Sequence, residues 1–403
     1  MSRLRLYVMM FFQYMMYAVW WVPLAAYLTN LNVPATQKAL ILSSMAIGCM
    51  VSPVIGMIAD RHFAGQKLLM VLNLMNSALL VCAARTSNPD LLFIFLLFTM
   101  LFYMPTWSLT SAIAMAHSPS EEFPRIRVFG SVGHVTSGIF SLTAVNLFHV
   151  SFDGTNLPFY CGAAVGVVAA LFNLTLPDTP PQAKGKKGSI MDAFGLGTLR
   201  LLKDRNFAIF IILSFLSLIP FAMYFSYFSE FLLNIRTQFI ALTINWGILA
   251  EMGFILLVPP AIKRFGLRTV MIFGLCAMVL RYLSLYTGVL IDQRWLYYIG
   301  ILVHGLIFGF FYVGGQIYID KKAPDELKAQ AQGFIFLVTF GAGLLVGNLI
   351  DGGIISNFID TTGGTRIYDW KSIWGVTTLM SVLILIAFVL FIRDDKSQPA
   401  VKH

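Results

Sequence analysis

Twelve runs of predominantly apolar residues dominate this sequence, and each is close to the length of a membrane span. A helix needs about 20 apolar residues to cross the hydrocarbon core of a bilayer. Only helices and closed barrels satisfy their own backbone polar groups there, and a barrel strand is about half as long. The runs therefore predict an all-α polytopic membrane protein with twelve transmembrane helices. They lie at residues 6–28, 39–59, 68–84, 91–116, 125–148, 157–177, 206–233, 240–262, 269–290, 296–317, 330–350 and 371–392.

The composition agrees with this class of protein. Of 403 residues, 58% are hydrophobic and 12% are charged, whereas about 25% of the residues in a soluble domain are charged. The four cysteines lie inside apolar runs at unrelated spacings, which favours neither a disulfide framework nor a metal site. No Walker loop, GxSxG or HExxH motif is present. We expect a protein that is not an enzyme, needs no cofactor and moves any solute along a gradient.

A polar stretch between the sixth and seventh runs divides the chain. It contains DTPPQAKGKKGS and is the only long polar segment. We expect an N-terminal six-helix bundle at 1–177, a cytoplasmic linker at 178–205 and a C-terminal six-helix bundle at 206–403. The segments GMIADRHFAGQK and PPAIKRFGLR follow the second and eighth runs, which are equivalent positions in the two halves. The first segment resembles the short cytoplasmic signature of the major facilitator superfamily.

The basic residues predict the orientation of the helices. Cytoplasmic loops of membrane proteins carry an excess of Lys and Arg. With both termini in the cytoplasm, 21 of the 28 Lys and Arg residues lie inside, and Arg281 falls within a run. This bias explains the net charge of +9 and the pI near 9.4 without a nucleic-acid partner. The six basic residues predicted outside are Lys38, Arg85, Arg236, Arg294, Arg366 and Lys371.

Glu251 is an acidic residue about halfway along the eighth run. An ionisable side chain at membrane depth is costly unless it is paired or hydrated, so each one is a candidate functional residue. We expect Glu251 to bind a proton or a substrate at a central cavity. The alternative is a structural ion pair, for which Arg281 in the ninth run is the partner at similar depth. For Arg281 itself the structural interpretation is favoured.

Three further polar residues interrupt the runs. His304 in the tenth run has a side chain that can donate a hydrogen bond or relay a proton, and a satisfied buried histidine is the alternative. Arg127 lies near the start of the fifth run, where an arginine commonly reaches toward the membrane surface, with Glu121 and Glu122 nearby as partners. Gln13 in the first run needs a hydrogen-bond partner, which a cavity would provide.

Aromatic residues make up 14% of the chain. Phe308, Phe311 and Tyr312 follow His304 and could stack on a planar ligand, although packing against lipid is the alternative for each. Tryptophan is enriched at both membrane–water interfaces. We therefore expect interfacial positions for Trp20, Trp21, Trp295, Trp370 and Trp374.

Several segments in both halves resemble one family. They are FYMPT, FPRIRVFGSVG, LPDTPP, KRFG, HGLIFGFFYV, YIDKKAP and AQAQG. Together they are similar to the nucleoside:proton symporters of the major facilitator superfamily, and the resemblance covers nearly the whole chain. It implies twelve helices, alternating access and import of a nucleoside with a proton. It also implies a multi-pass protein of the bacterial inner membrane, and we expect a monomer whose other partner is the lipid bilayer.

The resemblance also implies site residues. The family has an arginine and a small hydroxyl residue in span five, an acidic residue in span eight, and a glutamine in span one. In span ten it has a histidine or tyrosine and an aromatic residue associated with the base. The residues at these positions are Arg127, Ser131, Glu251, Gln13, His304 and Phe308. Glu251 and His304 are the residues expected to couple transport to protons.

The sequence departs from the family pattern at several of these positions. Gly309 stands where the family typically has an aspartate, and Ile248 stands where it has a glutamine. Ala222 and Phe225 replace polar residues of span seven. These changes leave two alternatives open. One is a proton-coupled transporter of a sugar or another small polar solute, and the other is a membrane receptor that does not transport.

Overall fold

The structure is a computed structural model that describes residues 2–119, 122–181, 194–324, 327–360 and 366–393. Helices form at all twelve predicted runs. They are α1 (Ser2–Trp21 and Leu24–Asn30), α2 (Ala35–Leu42 and Ser44–His62), α3 (Gly65–Ala84), α4 (Pro89–Ala116), α5 (Phe123–Thr136 and Gly138–Asn146), α6 (Leu157–Asn173), α7 (Arg205–Asn234), α8 (Ile240–Leu256 and Val258–Phe265), α9 (Leu267–Leu290), α10 (Trp295–Leu302, His304–Leu306, Ile307–Val313 and Gly314–Lys322), α11 (Lys328–Phe336, Leu337–Gly343 and Leu344–Asn357) and α12 (Trp370–Phe391).

Ten of these helices are long and apolar enough to cross a membrane in the described part of the chain. The two parts of α8 meet at a bend of 50° and make an eleventh span if they are counted together. Helix α6 is apolar but has only 17 residues. The fold class is therefore the predicted one. Ten helices, or eleven if the two parts of α8 are counted as one span, are long enough to cross a membrane, and α6 is shorter.

The helices pack as two groups. In the first, α1 contacts α5 and α6, and α3 contacts α4 and α6. In the second, α7 contacts α11 and α12, and α9 contacts α10 and α12. The groups meet where α8 packs on α5, where α2 packs on α11, and where the second part of α1 packs on α7. These six helices therefore form the interface between the groups.

One 3-10 helix and one pair of short strands lie outside the twelve helices in the described part of the chain. A 3-10 helix at Leu196–Lys203 precedes α7, whose first turn is capped by the Asp204 side chain through a bond from the Phe207 N–H. Residues 182–193 of the predicted linker lie outside the described residues. Between α11 and α12, the strands β1 (Ile359–Asp360) and β2 (Ile367–Tyr368) pair antiparallel, which the sequence did not predict.

The expectation of interfacial tryptophans is wrong for four of the five residues. Trp295 is 59% exposed, but Trp20, Trp21, Trp370 and Trp374 are all 5% exposed or less. The physical reason is aromatic packing inside the protein. The ring of Trp374 lies 5.5 Å from that of Trp370 and 5.3 Å from that of Phe231. Burying such large rings against each other stabilises the bundles.

Candidate functional site

Three ionisable side chains form a chain from α8 through α10 to α9. His304 Nε2 lies 3.5 Å from Glu251 Oε2, and His304 Nδ1 lies 2.9 Å from Arg281 Nη2. A guanidinium group can only donate, so Nδ1 must accept this bond. The imidazole proton is then on Nε2 and faces the Glu251 carboxylate. The sequence suggested Arg281 as the direct partner of Glu251, whereas the structure places His304 between them.

Arg281 is held rigidly behind His304. It is fully buried, its Nε donates to the Gly300 carbonyl at 2.9 Å, and its guanidinium lies 3.8 Å from the centre of the Tyr224 ring. A cation over an aromatic face in a buried setting is stabilised electrostatically. These contacts agree with the structural interpretation of Arg281. Its chemical effect is to fix the tautomer and the orientation of His304.

Gly305 allows α10 to approach α8 at this level. A Cβ atom at position 305 would lie 2.6 Å from Glu251 Cα and 2.7 Å from its backbone nitrogen. Those atoms are backbone and cannot rotate away, so any larger residue would push the helices apart. The close approach is what brings the side chain of the preceding residue, His304, against Glu251.

A π-helical segment follows immediately, from Ile307 to Val313. Such segments are rare inside α-helices and are frequent at functional sites. Phe308 lies on it, half-buried, with its ring 6.3 Å from the His304 ring and at 26° to it. The Phe308 ring also lies 6.1 Å from Tyr312 and 6.3 Å from Phe340. The result is an aromatic wall beside the ionisable chain.

Gly309, the departure from the family pattern, packs against α8 about one helical turn after Glu251. A Cβ atom there would lie 3.3 Å from Val258 Cγ2 and 3.6 Å from Ile255 Cγ1, both on α8. An acidic side chain at this position would therefore begin in an apolar contact. The described geometry leaves Glu251 as the acidic group beside the aromatic wall.

Arg127 belongs to the other helix group. Its guanidinium lies 4.3 Å from the centre of the Tyr14 ring of α1. Glu122, expected as a partner, instead binds Arg3 at 2.8 Å, and Glu121 lies outside the described residues. Tyr14 is within electrostatic range of both Arg127 and Glu251. Arg127 of the first helix group and Glu251 of the second therefore lie in the same region of the molecule, around Tyr14.

Ser131 lies one helical turn after Arg127 and shares its face of α5. Its side chain is half-buried. This position is consistent with a cavity-lining hydroxyl group, and its role stays a prediction.

Gln13 is placed differently from the other predicted site residues. It is 1% exposed, and its Nε2 donates to Thr106 Oγ1 at 2.7 Å and to Asn73 Oδ1 at 3.3 Å. Asn73 Nδ2 donates back to Gln13 Oε1 at 3.0 Å. Its hydrogen-bonding capacity is therefore used inside the first helix group. The structure does not bring Gln13 together with Glu251, and its contact with a substrate stays a prediction.

The sequence did not predict a buried ion pair near the predicted outer ends of the helices. Lys38 of α2 pairs with Glu230 of α7, and they are 2% and 0% exposed. Lys38 Nζ also donates to Thr29 Oγ1 at 2.8 Å, and Tyr368 Oη donates to Glu230 Oε1 at 2.7 Å. The available signal was that Glu230 is the only acidic residue of the seventh run.

Other bonds close the same end of the molecule. Arg366, which precedes β2, donates to the backbone carbonyls of Val33 at 3.0 Å and Asn32 at 2.6 Å. Asp153 accepts from the first N–H groups of α8, at 2.8 Å from Ile240 and 3.3 Å from Ala241. These bonds and the Lys38–Glu230 pair join the two helix groups at this end of the molecule. The structure is therefore closed at this end of the molecule, which is the predicted outer end.

Comparison with known proteins is consistent with this architecture. The family profile described as "Nucleoside H+ symporter" matches residues 1–397. YegT of Escherichia coli (strain K12) is 33% identical over 400 residues, which cover 97% of this chain and 93% of YegT. The xanthosine permease of the same organism is 27% identical, over 99% of this chain and 98% of the permease. The crystal structure of the nucleoside transporter NupG superposes with a TM-score of 0.85 at 23% identity, covering 98% of this chain and 100% of NupG.

Proposed function

The chain belongs to the nucleoside H+ symporter family, and we propose that Glu251, His304 and Phe308 form the core of its binding site. The protein is a secondary active transporter that imports nucleosides together with protons. Its relatives are transporters and not enzymes. Such a protein has two tasks, to hold a nucleoside and to bind a proton, and the three side chains have the chemistry for both.

The chain Arg281–His304–Glu251 is the observation that carries the proposal. It holds one carboxylate at membrane depth, 14% exposed, against a neutral imidazole whose tautomer is fixed. A carboxylate can accept bonds from the hydroxyl groups of a ribose, and it can also take up a proton. His304 cannot accept a proton at Nδ1 while Arg281 donates to that atom. We therefore assign proton binding to Glu251 and hydrogen-bond donation to His304.

Phe308 supplies the apolar surface that a base requires. Stacking of a base on an aromatic ring is sequence-tolerant, because every base has a π-face. The half-buried Phe308 ring lies beside His304, so a base stacked on it would hold the ribose near Glu251. Arg127 and Ser131 would complete the site from α5 across the space between the helix groups. Gln13 would act through its network with Asn73 and Thr106.

The arrangement in the membrane follows from the charge distribution. The chain is a multi-pass membrane protein with bacterial relatives. We propose that it lies in the bacterial inner membrane as a monomer, with both termini in the cytoplasm. The bundles are residues 1–177 and 206–403, joined by a cytoplasmic linker at 178–205. Alternating access is the opening of one end of the interface between these bundles while the other end is closed.

Uptake of labelled nucleosides tests this proposal. We expect uridine, adenosine or xanthosine to accumulate in transport-deficient cells that express the protein, and an uncoupler to abolish the accumulation. Uptake no greater than that of cells with an empty vector, for every nucleoside in the panel, would refute the substrate class. Uptake of a sugar without any nucleoside would support the alternative substrate.

The Glu251→Gln variant tests the assignment of the proton. The amide keeps the size of the side chain but cannot ionise, so we expect accumulation against a gradient to be lost. Glu122→Gln is the matched control, because Glu122 binds Arg3 at the surface, and it should accumulate nucleoside normally. Unchanged accumulation by Glu251→Gln would remove Glu251 from the coupling mechanism.

A further inference from the structure

Asp351 is a buried carboxyl group outside the site formed by Glu251, His304 and Phe308. It lies in the last part of α11 and is 0% exposed. Neither of its carboxyl oxygens has a hydrogen-bond partner within the described part of the chain. Most buried polar side chains have such a partner, so an exception of this kind requires an explanation.

The turn of α11 that carries Asp351 forms part of the closed outer interface. Asn348 Nδ2 donates to the Leu42 carbonyl of α2 at 3.1 Å. A Cβ atom at Gly352 would lie 2.7 Å from Ala39 Cβ and 3.3 Å from the Ala35 carbonyl oxygen, also on α2. Because α2 belongs to the other bundle, opening of the outer end separates these contacts. That movement would admit water to Asp351.

No hydrogen bond joins Asp351 to a cation in the described part of the chain. Tyr227 of α7 and Tyr282 of α9 lie within electrostatic range of Asp351. Their hydroxyl groups donate elsewhere, Tyr227 to the Asn348 carbonyl at 2.8 Å and Tyr282 to the Pro220 carbonyl. Tyr282 also lies within range of Arg281, which donates to the Gly300 carbonyl and to His304. On α2, Ala35 and Ala39 lie against the neighbouring Gly352, and Lys38 is paired with Glu230.

An ionised carboxylate without a cation or a donor is strongly disfavoured in such a position. We propose that Asp351 is a proton-binding site of the outer interface, and that the outer end closes only when its carboxyl group holds a proton. This inference rests on the alternating access of the proposed function. It assigns a proton to a residue separate from Glu251.

The sign of the pH dependence is set by this proton. Closing the outer end takes up one proton from water, so acid on the outer side favours the closed form. A carboxyl group in contact with water titrates near pH 4. Above that pH, the ratio of closed to open protein falls about tenfold for each unit by which the pH rises. A variant that cannot ionise at this position loses the dependence.

A cysteine at position 229 reports opening of the outer end. Ser229 is 3% exposed, and its Oγ accepts a bond from the Ala26 N–H of the other bundle at 3.3 Å. Ser229→Cys is nearly isosteric, and a membrane-impermeant maleimide should reach the thiol only when the bundles separate. The labelling rate is measured from pH 6 to 8 in Ser229→Cys and in Ser229→Cys/Asp351→Asn. The ratio of the two rates cancels the ionisation of the thiol itself.

We expect this ratio to rise about tenfold per pH unit until labelling of the single variant saturates. A ratio that stays constant across the range would overturn the proposal, because a carboxyl group that is always neutral behaves like its amide. Ser229→Cys/Asp292→Asn is the matched control. Asp292 is exposed in the loop before α10, so its ratio to the single variant should not change with pH.

Three further measurements distinguish the possible outcomes. Protein without the introduced cysteine gives the background from Cys49, Cys82, Cys161 and Cys276. Asp351→Ser, which is smaller and also cannot ionise, replaces the asparagine variant if that variant does not fold, and the same slope is expected. Nucleoside uptake by the single variant is measured in parallel, so that a failure of transport is distinguished from a failure of the proton site.

Discussion

Removal of the Lys38 charge should open the outer end of the transporter. Lys38 and Glu230 are 2% and 0% exposed and come from different bundles, so the pair exists only while the outer end is closed. Removal of one partner of a buried ion pair costs about 3–5 kcal/mol, because the charge of the other partner stays unpaired in a low-dielectric site. In Lys38→Met, Glu230 keeps the bond from Tyr368 at 2.7 Å, which favours the lower figure of about 3 kcal/mol. That energy corresponds to a shift of about 100-fold toward the open form.

The assay is again maleimide labelling of Ser229→Cys from the outer side. Lys38→Met should raise the labelling rate about 100-fold, or to saturation. The double variant Lys38→Met/Glu230→Gln removes the unpaired charge and should recover much of the protection. Lys371→Met removes an exposed charge at the same end of the molecule and should leave the rate unchanged. A rate within twofold of the parent in Lys38→Met would refute the assignment of the pair as a closing contact.

Two further predictions concern the site. Gly305→Ala should lower the free energy of unfolding by about 1–3 kcal/mol, because the added Cβ would overlap the backbone of Glu251. Gly253→Ala on α8 is the control, because nothing lies within 4 Å of a Cβ atom at that position. Equal melting temperatures for the two variants would contradict the close approach of α10 to α8. Phe308→Ala should weaken nucleoside binding by about 1–3 kcal/mol through loss of stacking, as measured by equilibrium binding. Phe273→Ala, at a position 41% exposed, is the control and should bind nucleoside normally. Full affinity in Phe308→Ala would refute the proposal that the base stacks on Phe308.

The helices could be predicted from the sequence because hydrophobic length is a local property. A run of about 20 apolar residues predicts a span whatever its neighbours are. Glu251 could be found by the same reasoning, since a charge in the middle of such a run is conspicuous. His304 was also identified as a polar interruption. Its position between Glu251 and Arg281 depends on how α8, α9 and α10 pack, which a linear pattern does not contain.

The outer interface was missed because charges were treated as the ends of spans. The second run was placed from residue 39 and the eleventh was ended at residue 350, so Lys38 and Asp351 fell just outside. The structure buries both of them. The partner of Lys38 is Glu230, 192 residues away and in the other bundle. No local window relates two such positions, and Glu230 on its own resembled one polar residue in an apolar helix.

Three carboxyl groups of the C-terminal bundle differ in which neighbouring group balances their negative charge. Glu230 has a lysine from the other bundle, so its charge is compensated only when the outer end is closed. Glu251 has a neutral histidine backed by Arg281, so it is partly compensated within its own bundle and still reaches solvent. Asp351 has no partner in the described structure, and only a proton can compensate it. Closure of the outer end therefore depends on one contact that needs ionised groups and on one that needs a neutral group.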